Sequence, residues 1–314
     1  MAAQQRVAII GAGHVGATAA YALMLRALFR EIVLIDNNFA LSEAEAADLS
    51  DANALARPAR IWAGTYADAA SARIAVLTAG AATSGSESRF SISAQNLAIV
   101  TQCTTELMAA GFDGIIIVAA NPVDLMALAA FRSSRLPAAR VIGTGTLLDT
   151  SRLHQAIAAR LKVAPGSVDG FVLGEHGDSE VAAFSGIRVG GVPVDRFEPR
   201  LDRTDCEEVA KEVREAAYRI IAGKGHTSFG VATAIVRICE AVLRDERAVL
   251  PVSTMLTGQF GIEGIYLSLP CLLGGGGVER ILEPELHDDE IESLRSSAVT
   301  LGEALSILTG APRA

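Results

Sequence analysis

Residues 6–36 constrain the fold of this chain more than any other stretch. An apolar run, Val7-Ala8-Ile9-Ile10, passes directly into Gly11-Ala12-Gly13-His14-Val15-Gly16, and then into an Ala- and Leu-rich segment of helical character from Ala17 to Leu28. A second β-rich run, Glu31-Ile32-Val33-Leu34-Ile35, ends on Asp36, twenty residues past Gly16. Strand, glycine turn, helix and strand at this spacing form the βαβ unit of a dinucleotide site. Gly11 permits the tight turn, Gly13 lets the backbone approach a pyrophosphate, and Gly16 lets helix and strand pack closely. The helix N-terminus then offers N–H groups and a partial positive charge to the phosphates. Asp36 accepts from the hydroxyls of the adenosine ribose, and its carboxylate repels a 2′-phosphate, so the expected cofactor is NAD and not NADP.

Composition narrows what the rest can be. With 314 residues the chain is long enough for two domains with a substantial core. Its net charge of −9 comes without a basic cluster, which leaves nucleic acid and anionic membranes with no electrostatic footprint. Cys103, Cys206, Cys239 and Cys271 are widely spaced, with no CxxC and no zinc-type His spacing, so neither a metal site nor a disulfide framework is expected and a reducing, cytoplasmic setting fits. The first residues carry no basic region and no long apolar region, so no signal peptide is expected. The longest apolar stretch, Gly114 to Phe131, is interrupted by Asn121, Pro122 and Asp124, so no membrane span is expected either.

The strand–helix rhythm continues after Asp36. A helix is expected from Leu41 to Leu55, strands at Arg60 to Ala63 and Ile74 to Thr78, and a polar lid-like loop from Ala82 to Arg89. A helix over Ser91 to Ala110, a buried strand over Gly114 to Val118, a helix over Asp124 to Ser133 and a strand over Arg140 to Gly143 complete six strands. This is an α/β fold with a doubly wound, parallel six-stranded Rossmann sheet, expected to occupy residues 1–143. From 144 to 314 the pattern turns α+β and reads as a second, substrate-binding domain. Helices are expected over Asp149 to Leu161, Cys206 to Ala222, Thr227 to Leu243 and Asp288 to Leu308, with strands at Val168 to Leu173, Ala248 to Thr257, Ile265 to Leu269 and Val278 to Ile281. Glu180 to Val194 reads as short antiparallel pieces.

Six motifs now stand in order along the chain. They are the glycine turn, Thr78-Ala79-Gly80-Ala81, Ala120-Asn121-Pro122-Val123-Asp124, the run Gly143 to Arg152, Gly174-Glu175-His176-Gly177-Asp178, and Lys224-Gly225-His226-Thr227. Together they resemble the L-lactate/malate dehydrogenase family, most closely its bacterial L-lactate dehydrogenases, over nearly the whole chain. The resemblance implies an NAD-dependent L-2-hydroxy acid dehydrogenase that interconverts pyruvate and L-lactate, working on a small-molecule 2-oxo or 2-hydroxy acid as a homodimer or homotetramer.

It also implies roles, residue by residue. His176 is the general acid/base, since an imidazole titrates near working pH. Asp149 orients that ring and stabilises imidazolium. Arg152 clamps the substrate carboxylate, and Arg89 polarises the carbonyl as the lid closes. Asn121, whose bond to Pro122 is expected to be cis, donates to the substrate, and Thr83 and Thr227 line the pocket for its side chain. Cofactor contacts extend from Gly11, Gly13, Gly16 and Asp36 to Val15, Gly80, Ala81, Asn121 and Thr144.

Two departures from the family pattern bear on substrate. The lid position that reads the substrate's side chain is Thr83, where members acting on pyruvate usually carry Gln and those acting on oxaloacetate Arg. A Pro-Gly pair usual in this loop is Gly85-Ser86 here. Some bacterial relatives bind fructose 1,6-bisphosphate through an Arg and a His, at positions that here hold His154 and Asp169. The competing readings are a malate dehydrogenase, a dehydrogenase for larger neutral 2-oxo acids, and a non-catalytic NAD-binding relative.

Overall fold

The structure is a computed structural model that describes residues 6–56, 58–81 and 89–309. The first half runs β1 (Arg6–Ile10), α1 (His14–Leu25), β2 (Glu31–Ile35), α2 (Phe39–Asn53), β3 (Arg60–Ala63), α3 (Tyr66–Ala69), β4 (Ile74–Leu77), α4 (Arg89–Ala109), β5 (Ile115–Val118), α5 (Val123–Ser134) and β6 (Val141–Gly143). Then come α6 (Leu147–Leu161), β7 (Val168–Asp169), β8 (Val172–Leu173), β9 (Val181–Ala182), β10 (Arg188–Val189) and β11 (Val192–Pro193). The chain closes with α7 (Arg203–Lys224), α8 (Phe229–Leu243), β12 (Ala248–Thr257), β13 (Glu263–Gly274), β14 (Gly277–Ile281) and α9 (Asp288–Thr309). Two compact units result. The first is the chain up to Thr144 with Thr227–Ala248 and Leu273–Glu279; the second is Gly145–His226, Val249–Leu272 and the chain from Arg280 onward.

In the first unit the strands lie in the order β3-β2-β1-β4-β5-β6, all parallel. This is the doubly wound order, with its switch point between β1 and β4. Every residue of β4 and β5 is buried, as expected of strands covered on both faces. The α1 helix begins three residues earlier than its apolar pattern suggests, because the Gly13 carbonyl already accepts the Ala17 N–H. It also stops at Leu25, short of Leu28, where Ala27 turns into the left-handed region at φ 52°. The α8 helix belongs to this unit, and Arg26 beyond α1 pairs with Glu240 of α8 at 3.2 Å.

The second unit is α+β. Its core gathers Leu153, Ile157 and Leu161 of α6 with Val209 and Val213 of α7 and with Val168 of β7, Val172 of β8 and Val189 of β10. Here the structure corrects one expectation. Val168 to Leu173 is not one strand: β7 pairs with β10, whereas β8 pairs with β9. Gly170 divides them at φ +120°, where a Cβ would lie 2.5 Å from the Ile187 Cδ1, so the break requires glycine. Asn121-Pro122 is cis, and so is Glu198-Pro199, which carried no sequence signal.

Candidate active site

The first unit presents a phosphate turn at the carboxyl ends of β1 and β4. Gly11 adopts φ +105°, and a Cβ there would lie 2.5 Å from the Ala79 N. A Cβ on Gly16 would lie 1.9 Å from the Gly11 carbonyl oxygen, so strand turn and helix touch through bare backbone. At Gly13 a Cβ would meet nothing within 4 Å, and no side chain caps α1 at this residue. Among the described residues, the backbone at Gly13 thus has room beside it for a pyrophosphate. Val15 is half-buried in the first turn.

Asp36 stands at the end of β2 with its carboxylate fixed from two sides. One oxygen accepts the Ala12 N–H at 2.7 Å and the other accepts the Asn38 N–H at 2.8 Å. The acid that would read the ribose is therefore held in register with the glycine turn. Beyond β4 and β5, the Ala81 N–H donates to the Asn96 side-chain oxygen at 2.7 Å, and the Asn96 amide donates to the Asn121 carbonyl at 2.7 Å. Buried Asn96 thereby ties Gly80-Ala81 to Asn121 across two strand ends. Thr144 is buried, and its N–H donates to the Val118 carbonyl. Thr227 is half-buried just ahead of α8.

The second unit holds the ionisable cluster. Asp149 and Arg152 lie one turn apart on α6, so they share a face, and the Arg152 guanidinium donates to one Asp149 oxygen at 2.7 Å. The other Asp149 oxygen faces the His176 Nδ1 at 2.5 Å. Asp149 is 1 % exposed, whereas a quarter of the His176 side chain is exposed. Burial alone would raise Asp149, but His176 and Arg152 more than offset it, and its carboxyl is held below the usual carboxylate range. The carboxylate fixes Nδ1 as the nitrogen bonded to Asp149 and turns Nε2 to the opposite side of the ring. Glu180, half-buried on the same loop, behaves in the opposite way. Burial, and then the Asp149 charge, push it up to about 8 against the pull of His176, Arg214 and Arg152.

Both halves of the acid/base pair are anchored to β13. Gly174 exchanges two backbone hydrogen bonds with Ser268, at 3.0 and 3.1 Å. The Ser268 hydroxyl also accepts the Thr146 N–H at 3.2 Å, at the start of α6. Asn96, Glu180 and Ser268 were not foreseen from the sequence. Thr83 and the loop 82–88 lie outside the described residues, as does the side chain of Arg89, whose backbone opens α4.

Two family models together match nearly the whole chain. Residues 5–143 match the family model for the lactate/malate dehydrogenase NAD binding domain, and residues 146–308 match that for the lactate/malate dehydrogenase alpha/beta C-terminal domain. The chain is 41% identical over 309 residues to an L-lactate dehydrogenase of Clostridium botulinum, covering 97% of each. It is 40% identical to an L-lactate dehydrogenase of Pediococcus acidilactici, covering 96% of this chain and 94% of that one. Among solved structures, the minor L-lactate dehydrogenase of Enterococcus mundtii in its ligand-bound form superposes with a TM-score of 0.94 at 40% identity, covering 97% of this chain and 98% of that one. A lactate dehydrogenase from a deep-sea metagenome, MGS-M5, gives 0.94 at 35% identity, covering 98% and 99%.

Proposed function

Because the chain belongs to the lactate/malate dehydrogenase family, we propose that it interconverts pyruvate and L-lactate with NAD, and that His176, Asp149 and Arg152 carry the chemistry. The observation that carries this reading is the 2.5 Å contact between the His176 Nδ1 and a buried Asp149 that Arg152 also holds. When bound at the glycine turn, the reduced dinucleotide supplies the hydride. His176 holds a proton on Nε2 and gives it to the oxygen of the 2-oxo acid, and Asp149 stabilises the imidazolium before transfer. Arg152 grips the carboxylate, Asn121 donates to the substrate, and Arg89 polarises the carbonyl. Thr83 and Thr227 border the substrate's side chain. Val15, Gly80, Ala81, Asn121 and Thr144 complete the cofactor contacts around Gly11, Gly13, Gly16 and Asp36.

The proposed division of labour along the sequence falls at 143/144, which the two family matches support, although Thr227–Ala248 and Leu273–Glu279 fold into the first unit. A cytoplasmic location is supported by four free cysteines, and no helix among the described residues is long and apolar enough to cross a membrane. Assembly as a homodimer or homotetramer is supported by apolar side chains left in water one turn apart on α1, Tyr21 and Leu25.

A neutral substrate side chain fits the lid's composition. From Ala81 to Ser88 the only charge is Glu87, so a second substrate carboxylate sealed there has no counter-charge. Steady-state oxidation of NADH across pyruvate, 2-oxobutyrate, phenylpyruvate and oxaloacetate tests this. Pyruvate or another neutral 2-oxo acid should lead in kcat/KM, and the reading is wrong if oxaloacetate exceeds every monocarboxylate.

A further inference from the structure

The loop that carries His176 is tied to a residue 122 positions later in the chain. Ser297, on α9, is 0 % exposed. Its hydroxyl oxygen accepts the Glu175 N–H at 3.0 Å and lies 2.9 Å from the Ser179 Oγ. The Ser179 hydroxyl donates to a Glu175 carboxyl oxygen, which commits its one proton, so the Ser297 hydroxyl is the donor between the two serines. These bonds close a directed ring that runs from the Glu175 N–H to Ser297, on to Ser179, and back to the Glu175 side chain. Each member of such a ring strengthens the next. A Cβ on Gly174 would lie 3.1 Å from the Ser297 Oγ, so the serine also fills the space against the loop backbone. Gly174 is held by Ser268 and Glu175 by Ser297, which fixes the two residues ahead of His176.

On the reading of His176 as the acid/base, we propose that Ser297 is a positioning residue for the reaction: from the C-terminal helix it fixes the loop backbone so that the imidazole meets Asp149 at bonding distance. Among the described residues, the ionisable groups coupled to the imidazole include Asp149 and Arg152 of α6 and Glu180 of its own loop, with Arg214 of α7 acting on Glu180. Ser297 carries no charge. Its removal therefore reaches the proton-transfer step through geometry alone, by loosening the 2.5 Å contact that stabilises imidazolium. A residue that merely docks α9 would alter stability and leave the pH dependence untouched.

The test compares pyruvate reduction against pH for the full-length enzyme and for Ser297→Ala, Ser179→Ala, Leu301→Ala and His176→Ala. Leu301 is a buried residue of the same helix and reports loosened packing. In Ser297→Ala, kcat should fall about tenfold, as for a slight misplacement of a catalytic group. The pH at which the rate is half lost should move down by about half a unit as imidazolium loses support. The KM for NADH should be unchanged. Ser179→Ala should show the same changes to a smaller degree, and it decides the matter alone if Ser297→Ala does not fold. Leu301→Ala should lower the melting temperature without moving the pH profile. A folded Ser297→Ala, or failing that Ser179→Ala, with wild-type kcat and pH profile overturns the inference. So does an equal shift in Leu301→Ala. If His176→Ala keeps its turnover, the acid/base reading itself falls; if only His176→Ala is impaired, the role of Ser297 alone is refuted.

Discussion

Replacing Glu180 by Gln should flatten the dependence of stability on pH. The ordinary value of a glutamate is 4.5, and in the folded chain Glu180 is pushed up to about 8 by burial and then by the Asp149 charge. Between those values the native protein keeps a proton that the unfolded chain has released, so unfolding loses free energy as pH rises. The stabilisation is complete below about 4.5 and is lost by about 8. At about 1.4 kcal/mol per pH unit, the full interval corresponds to roughly 5 kcal/mol. Glu180 keeps part of its surface in water, which reduces this to about 2–4 kcal/mol. Gln has the same shape and no proton to lose. The difference in stability between Glu180→Gln and wild type should therefore grow in favour of the variant from pH 5 to pH 8.5. Thermal midpoints would separate by on the order of 2 °C per kcal/mol. Scans at half-unit intervals in constant ionic strength read this directly. Parallel curves for the two proteins across that range would show that Glu180 titrates at its ordinary value, and the account of the buried cluster would be wrong.

Three further outcomes follow from the geometry. Gly16→Ala places a Cβ 1.9 Å from the Gly11 carbonyl, so it should cost about 1–3 kcal/mol of stability and weaken NADH binding in a fluorescence titration; unchanged binding would refute the close-packed turn. Asp36, fixed by Ala12 and Asn38, should favour NADH over NADPH by about 10²-fold in kcat/KM, from a like-charge repulsion of roughly 3 kcal/mol; equal values would refute that assignment. Fructose 1,6-bisphosphate should leave the pyruvate saturation curve unmoved, because Asp169 is an exposed anion and His154 is engaged with the Gly170 carbonyl at 2.8 Å. A several-fold fall in KM at millimolar effector would show that the phosphates bind elsewhere.

The parts of the fold legible in the sequence are those written in local pattern. The strands β1 to β6 are short apolar runs closed by Gly or polar residues, and their parallel order matches the βαβ alternation. Asp149 and Arg152 are legible for the same reason, since a spacing of three on a helix puts them on one face. Between Val168 and Leu173 pattern fails, because one glycine in an otherwise β-like run does not announce that its two sides join different sheets. Asn96, Ser268 and Ser297 were illegible for another reason. Each is a small polar residue within an ordinary helix or strand, and its partners lie 15 to 122 residues away, so its role exists only once the chain has folded.

The anchoring of the reacting pair to β13 affects how errors in folding express themselves. Ser268 holds the His176 loop through its backbone and the start of α6 through its hydroxyl, and its neighbours Leu267 and Leu269 are both fully buried. Strand alternation means that a slip of one position would bring a leucine to the place of the serine and reverse every side chain of β13. Such a molecule would lose the acceptor for Thr146 and the pairing at Gly174 together. Misregistered copies in a preparation would therefore be silent, lowering the number of working sites per milligram while the remaining copies kept an unaltered KM.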